Sequence, residues 1–301
     1  MYDVVCAGSA ALDDYYVVSR LPRDDEKVPS RYVGQILGGP TCNTAKALKV
    51  LGAKALLVTP VGDDEQGPFV RRKLAEIGLD TVYVTGPGIV TGHTLVMASE
   101  QGEKAILTFG RPNAEGLAAA FGRLELPPAR VVQSMLATTM TTYLERWTDT
   151  PVVVNIEEQI LNSFPDAFDW ANQHAHTMVL DRHAYVRLFK LPETVDSLQQ
   201  VVAAHPGTCA NIIVTMGAQG SMGVSREDGS AAQLPAYPAH VVDPTGAGDI
   251  FISAFIHGHY LQGMALAETL RYANAIASAS CEDLGTDLSP KAVQRAQKWL
   301  R

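Results

Sequence analysis

The chain has 301 residues, of which 47% are apolar and 19% are charged, and its formal net charge is -8. This size and composition are typical of a globular protein built as one α/β domain, alone or with a small accessory element. The net negative charge disfavours a surface for nucleic acid or for an anionic membrane. We therefore expect one domain over residues 1–301, with neither nucleic acid nor membrane as a partner.

The cysteines and the N-terminus indicate the compartment. Cys6, Cys42, Cys209 and Cys281 are far apart and form no CxxC pair, which is typical of reduced thiols and gives no metal signature. The chain does not open with a basic segment and an apolar core, and no apolar run approaches the roughly 18 residues that a membrane span requires. We expect a cytoplasmic protein.

Short apolar runs alternate with amphipathic segments along the chain. This pattern is typical of βαβ units and predicts an α/β fold built on a mainly parallel sheet. The predicted buried strands are residues 4–8, 56–61, 131–136, 151–155, 177–181 and 211–215. The predicted helices between them are residues 44–51, 66–77 and 193–204.

Two segments near the N-terminus break this alternation. Residues 15–19 with 31–37, and residues 93–99 with 104–109, have the period-2 pattern of paired strands, and a turn at 100–103 closes the second pair. Extra strands of this kind can form a small separate sheet. We predict a β-sheet lid over approximately residues 15–37 and 91–110, placed to cover a site.

Residues 38–45 lead from the lid into a helix through two adjacent glycines. The glycines permit close approach of a ligand, and Asn43 offers both a donor and an acceptor to a polyhydroxylated molecule. The alternative is a plain turn in which Thr41 or Asn43 caps the helix.

Two further strand ends carry candidate site residues. Asp13 follows the strand at 4–8, where ligands of open α/β sheets bind, although an exposed loop aspartate has the same pattern. Residues 213–223 place three glycines after a strand, either as a ligand loop or as a tight connection to a strand at 221–225.

Residues 241–255 run from an apolar strand end through a turn with two glycines into a helix with apolar positions on one face. The free N–H groups of the first helical turn form an anion site. Asp249 stands in this positive end, where an acid can simply stabilise the helix. Alternatively, the amides hold a phosphoryl group while Asp249 takes a proton from the attacking hydroxyl.

Four signatures, in this order, resemble those of the ribokinase-like, or PfkB, family of carbohydrate kinases over nearly the whole chain. Residues 243–249, Asp-Pro-Thr-Gly-Ala-Gly-Asp, are similar to the C-terminal signature Asp-Thr-x-Gly-Ala-Gly-Asp. Residues 38–45, with Gly-Gly-x-x-x-Asn-x-Ala, are similar to the N-terminal signature. Residues 62–67 and 215–220 are similar to further family positions.

The resemblance implies a Rossmann-like, mainly parallel sheet with helices on both faces, together with the β-sheet lid near the N-terminus. It implies ATP as the phosphoryl donor with Mg²⁺, and a sugar or sugar-like hydroxyl as the acceptor. The exposed edges of a lid sheet would also allow a homodimer to form through the lid.

The resemblance also implies roles for the residues that match family positions. The catalytic positions are matched by Asp249 as the base and by Gly246, Ala247 and Gly248 as the anion hole. The sugar-binding positions are matched by Asp13, Gly39 and Asn43. The nucleotide positions are matched by Thr215, Gly217, Gly220 and Asn274, the last of which falls in a helix that often borders the adenine pocket.

Three departures from the family pattern concern the metal, a second cation and the substrate. Many members have Asn-x-x-Glu where this chain has residues 181–184, Asp-Arg-His-Ala, so the sequence does not identify the Mg²⁺ ligands. Pro244 replaces the usual threonine beside Asp243, which disfavours the monovalent cation that some relatives hold there. Residues 152–157 are closer in character to ketohexokinase-like members and hint at a ketose.

The substrate class separates the remaining functions. A nucleoside kinase would need a wall for the base, for which the available aromatic residues are Tyr15, Tyr16, Tyr32 and Phe109. A non-catalytic sensor on the same fold is favoured by Ala184 and disfavoured by the intact Asp249. A phosphorylated substrate would require a cationic clamp, and the cations near the site or lid in sequence are Arg31, Lys46, Lys104 and Arg111. Nothing in the sequence shows that these converge, so we predict an ATP-dependent kinase for a neutral monosaccharide.

Overall fold

A computed structural model describes residues 1–99, 104–109 and 113–301. In these ranges the strands form one nine-stranded sheet and one four-stranded sheet. The predicted turn at residues 100–103, residue 110 of the predicted lid, and Arg111 lie outside the described residues.

The large sheet is mainly parallel, as predicted. Its strands are β1 (Tyr2–Ala7), β4 (Ala55–Pro60), β5 (Asp80–Val84), β8 (Ala129–Met135), β9 (Val152–Ile156), β10 (Thr177–Asp181), β11 (Asn211–Thr215), β12 (Ser221–Ser225) and β13 (Ala231–Leu234). Their order is β13-β12-β11-β10-β9-β8-β1-β4-β5. Pairings from β5 to β11 are parallel, and β12 and β13 add an antiparallel edge.

Helices cover both faces of this sheet. They are α1 (Pro40–Val50), α2 (Gly67–Ile77), α3 (Ala114–Gly122), α4 (Thr141–Leu144), α5 (Ile160–Ser163), α6 (Ala167–His174), α7 (Arg182–Phe189), α8 (Val195–Ala204), α9 (Ala247–Ile256), α10 (Leu266–Ser280) and α11 (Pro290–Leu300). Alternate side chains of β1 enter opposite cores. Val4 and Cys6 pack in the core with α1, α9 and α10, and Val5 and Ala7 pack in the core with α3 and α8.

The start of α1 differs from the predicted helix at 44–51. The helix begins at Pro40, because proline suits the first helical position and Gly39 precedes it with a φ of 95°. No side chain in the described part of the chain caps this helix, and Thr41 and Asn43 are buried inside it. The prediction that either residue is a cap is therefore wrong.

The four-stranded lid sheet contains both predicted strand pairs. Its strands are β2 (Ala11–Val18), β3 (Ser30–Gly38), β6 (Gly92–Ser99) and β7 (Lys104–Phe109), in the order β3-β2-β6-β7. The central pair, β2 and β6, is parallel, and the outer pairs are antiparallel. Because β2 begins at Ala11, Asp13 lies in a lid strand and not in an exposed loop.

Every helix within the described ranges is too short or too polar to cross a lipid bilayer. The four cysteines are free thiols, and three of them are buried.

Candidate active site

The turn before α9 lies at the edge of the sheet where the parallel strands end. Gly246 is the N-cap residue of α9 and has a left-handed φ of 78°, which glycine adopts without strain. In the described structure the amides of Gly246 and Gly248 donate to no protein acceptor, whereas the Ala247 amide donates to the Pro244 carbonyl at 3.2 Å. Gly246 and Gly248 therefore present the free amides of the predicted anion hole, and Ala247 closes the turn.

Asp249 is in the first turn of α9 and is only 9% exposed. Its Oδ2 accepts a hydrogen bond from Asn43 Nδ2 at 2.9 Å. Among the described residues no backbone amide donates to this carboxylate, so it does not act as a helix cap. Burial raises the pKa of Asp249 to about 7, with Glu157 adding to the rise and the Asn43 bond opposing it. A carboxylate with this pKa is suited to general-base work near neutral pH.

Two further side chains offer hydrogen-bond acceptors near Asp249: Asn43 has an unpartnered amide oxygen, and Asp13 has a carboxylate. Asn43 Oδ1 is buried and has no hydrogen-bond partner among the described residues. Asp13 Oδ1 accepts from Thr94 Oγ1 at 2.6 Å, and burial raises the pKa of Asp13 against the opposing effect of that bond. An orphaned acceptor and a buried carboxylate are groups that a bound hydroxyl can satisfy.

The two glycines at the end of β3 make room for this arrangement. A Cβ at Gly38 would lie 1.9 Å from Asp13 Oδ2, and a Cβ at Gly39 would lie 2.6 Å from the Ser9 carbonyl oxygen. Gly38 thus makes room for the Asp13 carboxylate, and Gly39 lets the chain pack closely against the backbone of Ser9.

Thr94 is a site residue that the sequence reasoning missed. It lies beside Asp13 because β2 and β6 pair in parallel with Asp13 opposite Thr94. Period-2 patterning predicted both strands, but it does not show which strands pair or in what register.

The aromatic residues of the lid lie mostly on the face opposite Asp13. Tyr32 donates to Asp14 Oδ1 at 3.3 Å, and Phe109 packs against His93 in a tilted arrangement with ring centroids 5.0 Å apart. Tyr16 contacts Tyr32 with a centroid distance of 5.1 Å. Of the four aromatic residues, only Tyr15 shares the Asp13 face, so they do not form the aromatic wall that a nucleoside kinase would need there.

The Asp13 face of the lid is instead aliphatic. Ile36 is opposite Asp13 in the sheet, and Val96 and Ile106 pair one step further along. Ile106 is 57% exposed, so an apolar side chain is open to a ligand on the same face as Asp13 and Thr94.

The described cations near the site do not form a phosphate clamp. Lys46 is buried, and its Nζ donates to the Leu37 carbonyl at 2.8 Å and lies 2.5 Å from Asp287 Oδ1. Lys104 Nζ lies 2.5 Å from Asp243 Oδ1, and Arg31 is exposed on β3. Both lysines already have carboxylate partners.

A cleft of about 740 Å³ begins at the turn before α9. It is lined by all four predicted nucleotide-binding residues, Thr215, Gly217, Gly220 and Asn274, and by Ala247 and Gly248. The cleft therefore connects the anion hole to the predicted adenine end.

Two of these residues shape the wall of the cleft. Asn274 Nδ2 donates to the carbonyls of Leu234 and Pro235 at 3.1 and 3.2 Å. A Cβ at Gly220 would lie 2.1 Å from the Leu234 carbonyl oxygen, and the φ of Gly220 is 91°. The glycine loop is thus both a tight connection to β12 and a wall of the cleft.

Carboxylates follow β9 and β10 at the edge of the sheet. Burial and the nearby Asp181 raise the pKa of Glu157. Asp181 Oδ1 accepts from the Ala184 amide at 2.6 Å and so caps α7. No three His, Cys, Asp or Glu side chains in the described part of the chain lie close enough to surround a metal ion. Mg²⁺ with ATP needs only one or two carboxylates, because phosphate oxygens and water complete its coordination, and Glu157 and Asp181 are the carboxylates at this edge.

A family model described as "pfkB family carbohydrate kinase" matches residues 1–292. The chain belongs to this family. It is therefore an ATP-dependent carbohydrate kinase, as the four signatures implied. The ribokinase of Mus musculus is 25% identical to this kinase over 309 residues, which cover 95% of this chain and 91% of that protein.

Solved structures of similar fold include a sugar kinase and a nucleoside kinase. Arabidopsis thaliana ribokinase, complexed with ribose and ATP, has a TM-score of 0.74 and 23% identity, with 99% of each chain covered. A nucleoside kinase of Methanocaldococcus jannaschii, a member of the ribokinase family, has a TM-score of 0.72 and 21% identity, also with 99% of each chain covered. These likenesses confirm the ribokinase-like fold of this kinase.

Proposed function

We propose that this kinase transfers the terminal phosphoryl group of ATP to a hydroxyl group of a neutral monosaccharide, with Asp249 as the general base. The observation that carries the proposal is the buried Asp249 carboxylate, which accepts from no described backbone amide and lies on the same helix end as the free amides of Gly246 and Gly248. A base and an anion-binding turn on the same helix end are two of the groups with which a protein promotes phosphoryl transfer.

Each group has a defined part in the transfer. Asp249 accepts the proton as the sugar oxygen bonds to phosphorus and the bond from phosphorus to the ADP oxygen breaks. The amides of Gly246 and Gly248 stabilise the negative charge that develops on the transferring oxygens. The lid excludes water, which would otherwise compete with the sugar as acceptor.

The sugar-binding groups support a neutral substrate. Asp13 and the unpartnered Asn43 Oδ1 are acceptors for sugar hydroxyls. Gly39 lets the start of α1, which carries Asn43, pack against the chain just before β2, which carries Asp13. Lys46 and Lys104 are held by Asp287 and Asp243, so neither is free to bind a substrate phosphate.

ATP is the donor in this proposal, and the cleft of about 740 Å³ that opens from Gly248 is where it would lie. Mg²⁺, when bound with ATP, supplies neutralisation of the phosphate charge. Glu157 would hold the ion in place of the missing Asn-x-x-Glu pair, because the Asp181 carboxylate is occupied in capping α7.

We also propose a homodimer through the lid and a cytoplasmic location. The lid face opposite Asp13 carries exposed apolar side chains, among them Tyr32, Leu107 and Phe109, which are 51%, 51% and 43% exposed. Sedimentation of the wild-type chain and of Leu107→Glu tests the dimer: a monomeric wild-type chain would contradict it.

The free thiols support a reducing compartment, which is the basis for proposing a cytoplasmic location.

A nucleoside kinase is the second candidate, and one observation favours it. Ile36, Val96 and Ile106 form an aliphatic surface on the Asp13 face of the lid. A flat base could pack against this surface while its ribose reaches Asp13.

ADP release, measured with a coupled assay, separates these candidates. Pentoses, hexoses, ketoses, nucleosides and sugar phosphates are supplied in turn at saturating ATP. We expect the highest kcat/KM with a neutral monosaccharide. A preference for nucleosides would support the second candidate, and a preference for sugar phosphates would contradict both. No turnover in a folded sample that still binds ATP would favour the non-catalytic sensor.

A further inference from the structure

The Asp243 carboxylate, in the turn that leads to the anion hole, is buried and fully partnered. It is 4% exposed. Its Oδ1 accepts from Lys104 Nζ at 2.5 Å, from the Thr245 amide at 3.0 Å and from Thr245 Oγ1 at 2.5 Å. Its Oδ2 accepts from the Gly285 amide at 3.1 Å. Burial alone would raise the pKa of Asp243, but the bonds from Lys104 and Thr245 hold it below its usual value.

The cation in this cluster comes from the lid. Lys104 is the first residue of β7, and its side chain is only 22% exposed at the contact. No other described lysine or arginine bonds to Asp243. The ion pair therefore ties an edge strand of the lid to the turn that contains Gly246.

A monovalent cation beside Asp243, which the resemblance raised, does not fit these surroundings. Such an ion needs several free oxygen atoms around it, whereas both oxygens of Asp243 accept from N–H and O–H groups. The Lys104 ammonium already supplies the positive charge, and a second cation there would be repelled.

We propose that Lys104 is the built-in counter-cation of Asp243 and a positioning residue for phosphoryl transfer. It holds the turn in the shape that presents the Gly246 and Gly248 amides when β7 is seated against the body of the protein. Added monovalent cations are therefore not needed by this kinase. The positioning role of Lys104 rests on the proposed function, whereas its role as the counter-cation of Asp243 does not.

Melting temperatures test the ion pair without any turnover. We compare the wild-type chain with Lys104→Met, Lys104→Arg and a control, Lys27→Met. Lys27 is exposed between β2 and β3, and no described residue bonds to it. Lys104→Met leaves a buried carboxylate without its cation, so its Tm should fall by at least about 5 °C at pH 8.

The pH dependence separates a lost charge from a lost packing contact. The other titratable groups that interact with Asp243 are the Tyr15 hydroxyl and the Cys281 thiol. Burial raises the pKa of both, so they stay neutral between pH 5 and 8. In Lys104→Met, the buried Asp243 carboxylate has lost its cation and binds a proton more readily, so the Tm deficit should be smaller at pH 5 than at pH 8. Lys104→Arg and Lys27→Met should show no such pH-dependent deficit.

Salt exchange and kinetics complete the test. Replacing KCl with tetramethylammonium chloride at equal ionic strength should leave the wild-type Tm and turnover rate unchanged. In steady-state kinetics, Lys104→Met should lower kcat/KM for ATP by about tenfold or more, because the turn is held less well in position. A wild-type Tm or rate that requires K⁺, or a Lys104→Met Tm equal to that of Lys27→Met, would overturn the inference. If the wild-type chain has no turnover, the proposed function fails while the Tm results still decide the ion pair.

Discussion

Asp249→Asn should make the protein more stable at neutral and alkaline pH, although it removes the proposed base. The pKa of Asp249 is raised from 3.8 to about 7 in the folded chain. A raised pKa means that the folded state binds the proton more tightly than the unfolded state, so this group's stabilising contribution is lost as pH rises from about 4 to about 7. Three pKa units correspond to about 4 kcal/mol of unfolding free energy. Asparagine keeps the shape without the buried charge.

Thermal unfolding at pH 5 and pH 8 measures this effect. We expect the Tm of Asp249→Asn to exceed the wild-type value at pH 8 by several degrees, at about 2–4 °C per kcal/mol, and by much less at pH 5. Asp64→Asn is the matched control of opposite sign. Asp64 accepts from the amides of Gly67 and Thr91 at 3.0 and 2.7 Å, and these bonds hold its pKa low despite partial burial. Its loss should destabilise the protein at pH 8. An Asp249→Asn variant that is less stable than the wild-type chain at pH 8 would refute the reasoning.

Three further predictions follow from the site. kcat/KM for the sugar should fall about tenfold per pH unit below pH 7 and level off above it, because Asp249 must be ionised to accept a proton; a flat pH–rate profile would contradict this. Thr94→Val should raise the sugar KM in steady-state kinetics about tenfold with little change in kcat, because Asp13 loses a hydrogen bond. The control Thr108→Val changes the exposed threonine that pairs with Thr94 on β7 and should leave the sugar KM unchanged. Gly220→Ala should destabilise the protein by about 1–3 kcal/mol more than Gly229→Ala in urea unfolding, because both have a positive φ but only Gly220 would clash with Leu234; equal losses would count against that clash.

Periodicity predicted the main features of the fold because a single residue pattern determines each of them. Continuous apolar runs identified the buried parallel strands, such as β10 and β11, which were predicted at their observed bounds. Strands β5 and β13 were missed. They lie at the two edges of the sheet and are only partly buried, so they lack a continuous apolar run.

The helix that follows the predicted catalytic turn shows a similar limit. The apolar residues of α9 were predicted to lie on one face, but residues 249–256 are all buried because α1 and α10 pack against this helix. A sequence pattern shows which residues are apolar, but it does not show how many layers will cover them.

Side-chain partners between distant segments are the part of the site that sequence could not give. Asn43 and Asp249 are separated by 206 residues, and Lys104 and Asp243 by 139. The sequence places Lys104 near the lid but does not identify Asp243 as its partner, because that pairing depends on where the lid rests. The signatures predicted the catalytic turn, but they do not give the register of β2 and β6, which brings Thr94 to Asp13.

The central claim is that Asp249 removes the proton from the attacking sugar hydroxyl. The most direct measurement is single-turnover phosphoryl transfer by Asp249→Asn, together with the ATP dissociation constant of the same sample. We predict that transfer slows by at least about a hundredfold, the usual cost of losing a general base, while ATP affinity stays within about threefold of the wild-type value. Transfer at a near-normal rate would remove Asp249 from the mechanism.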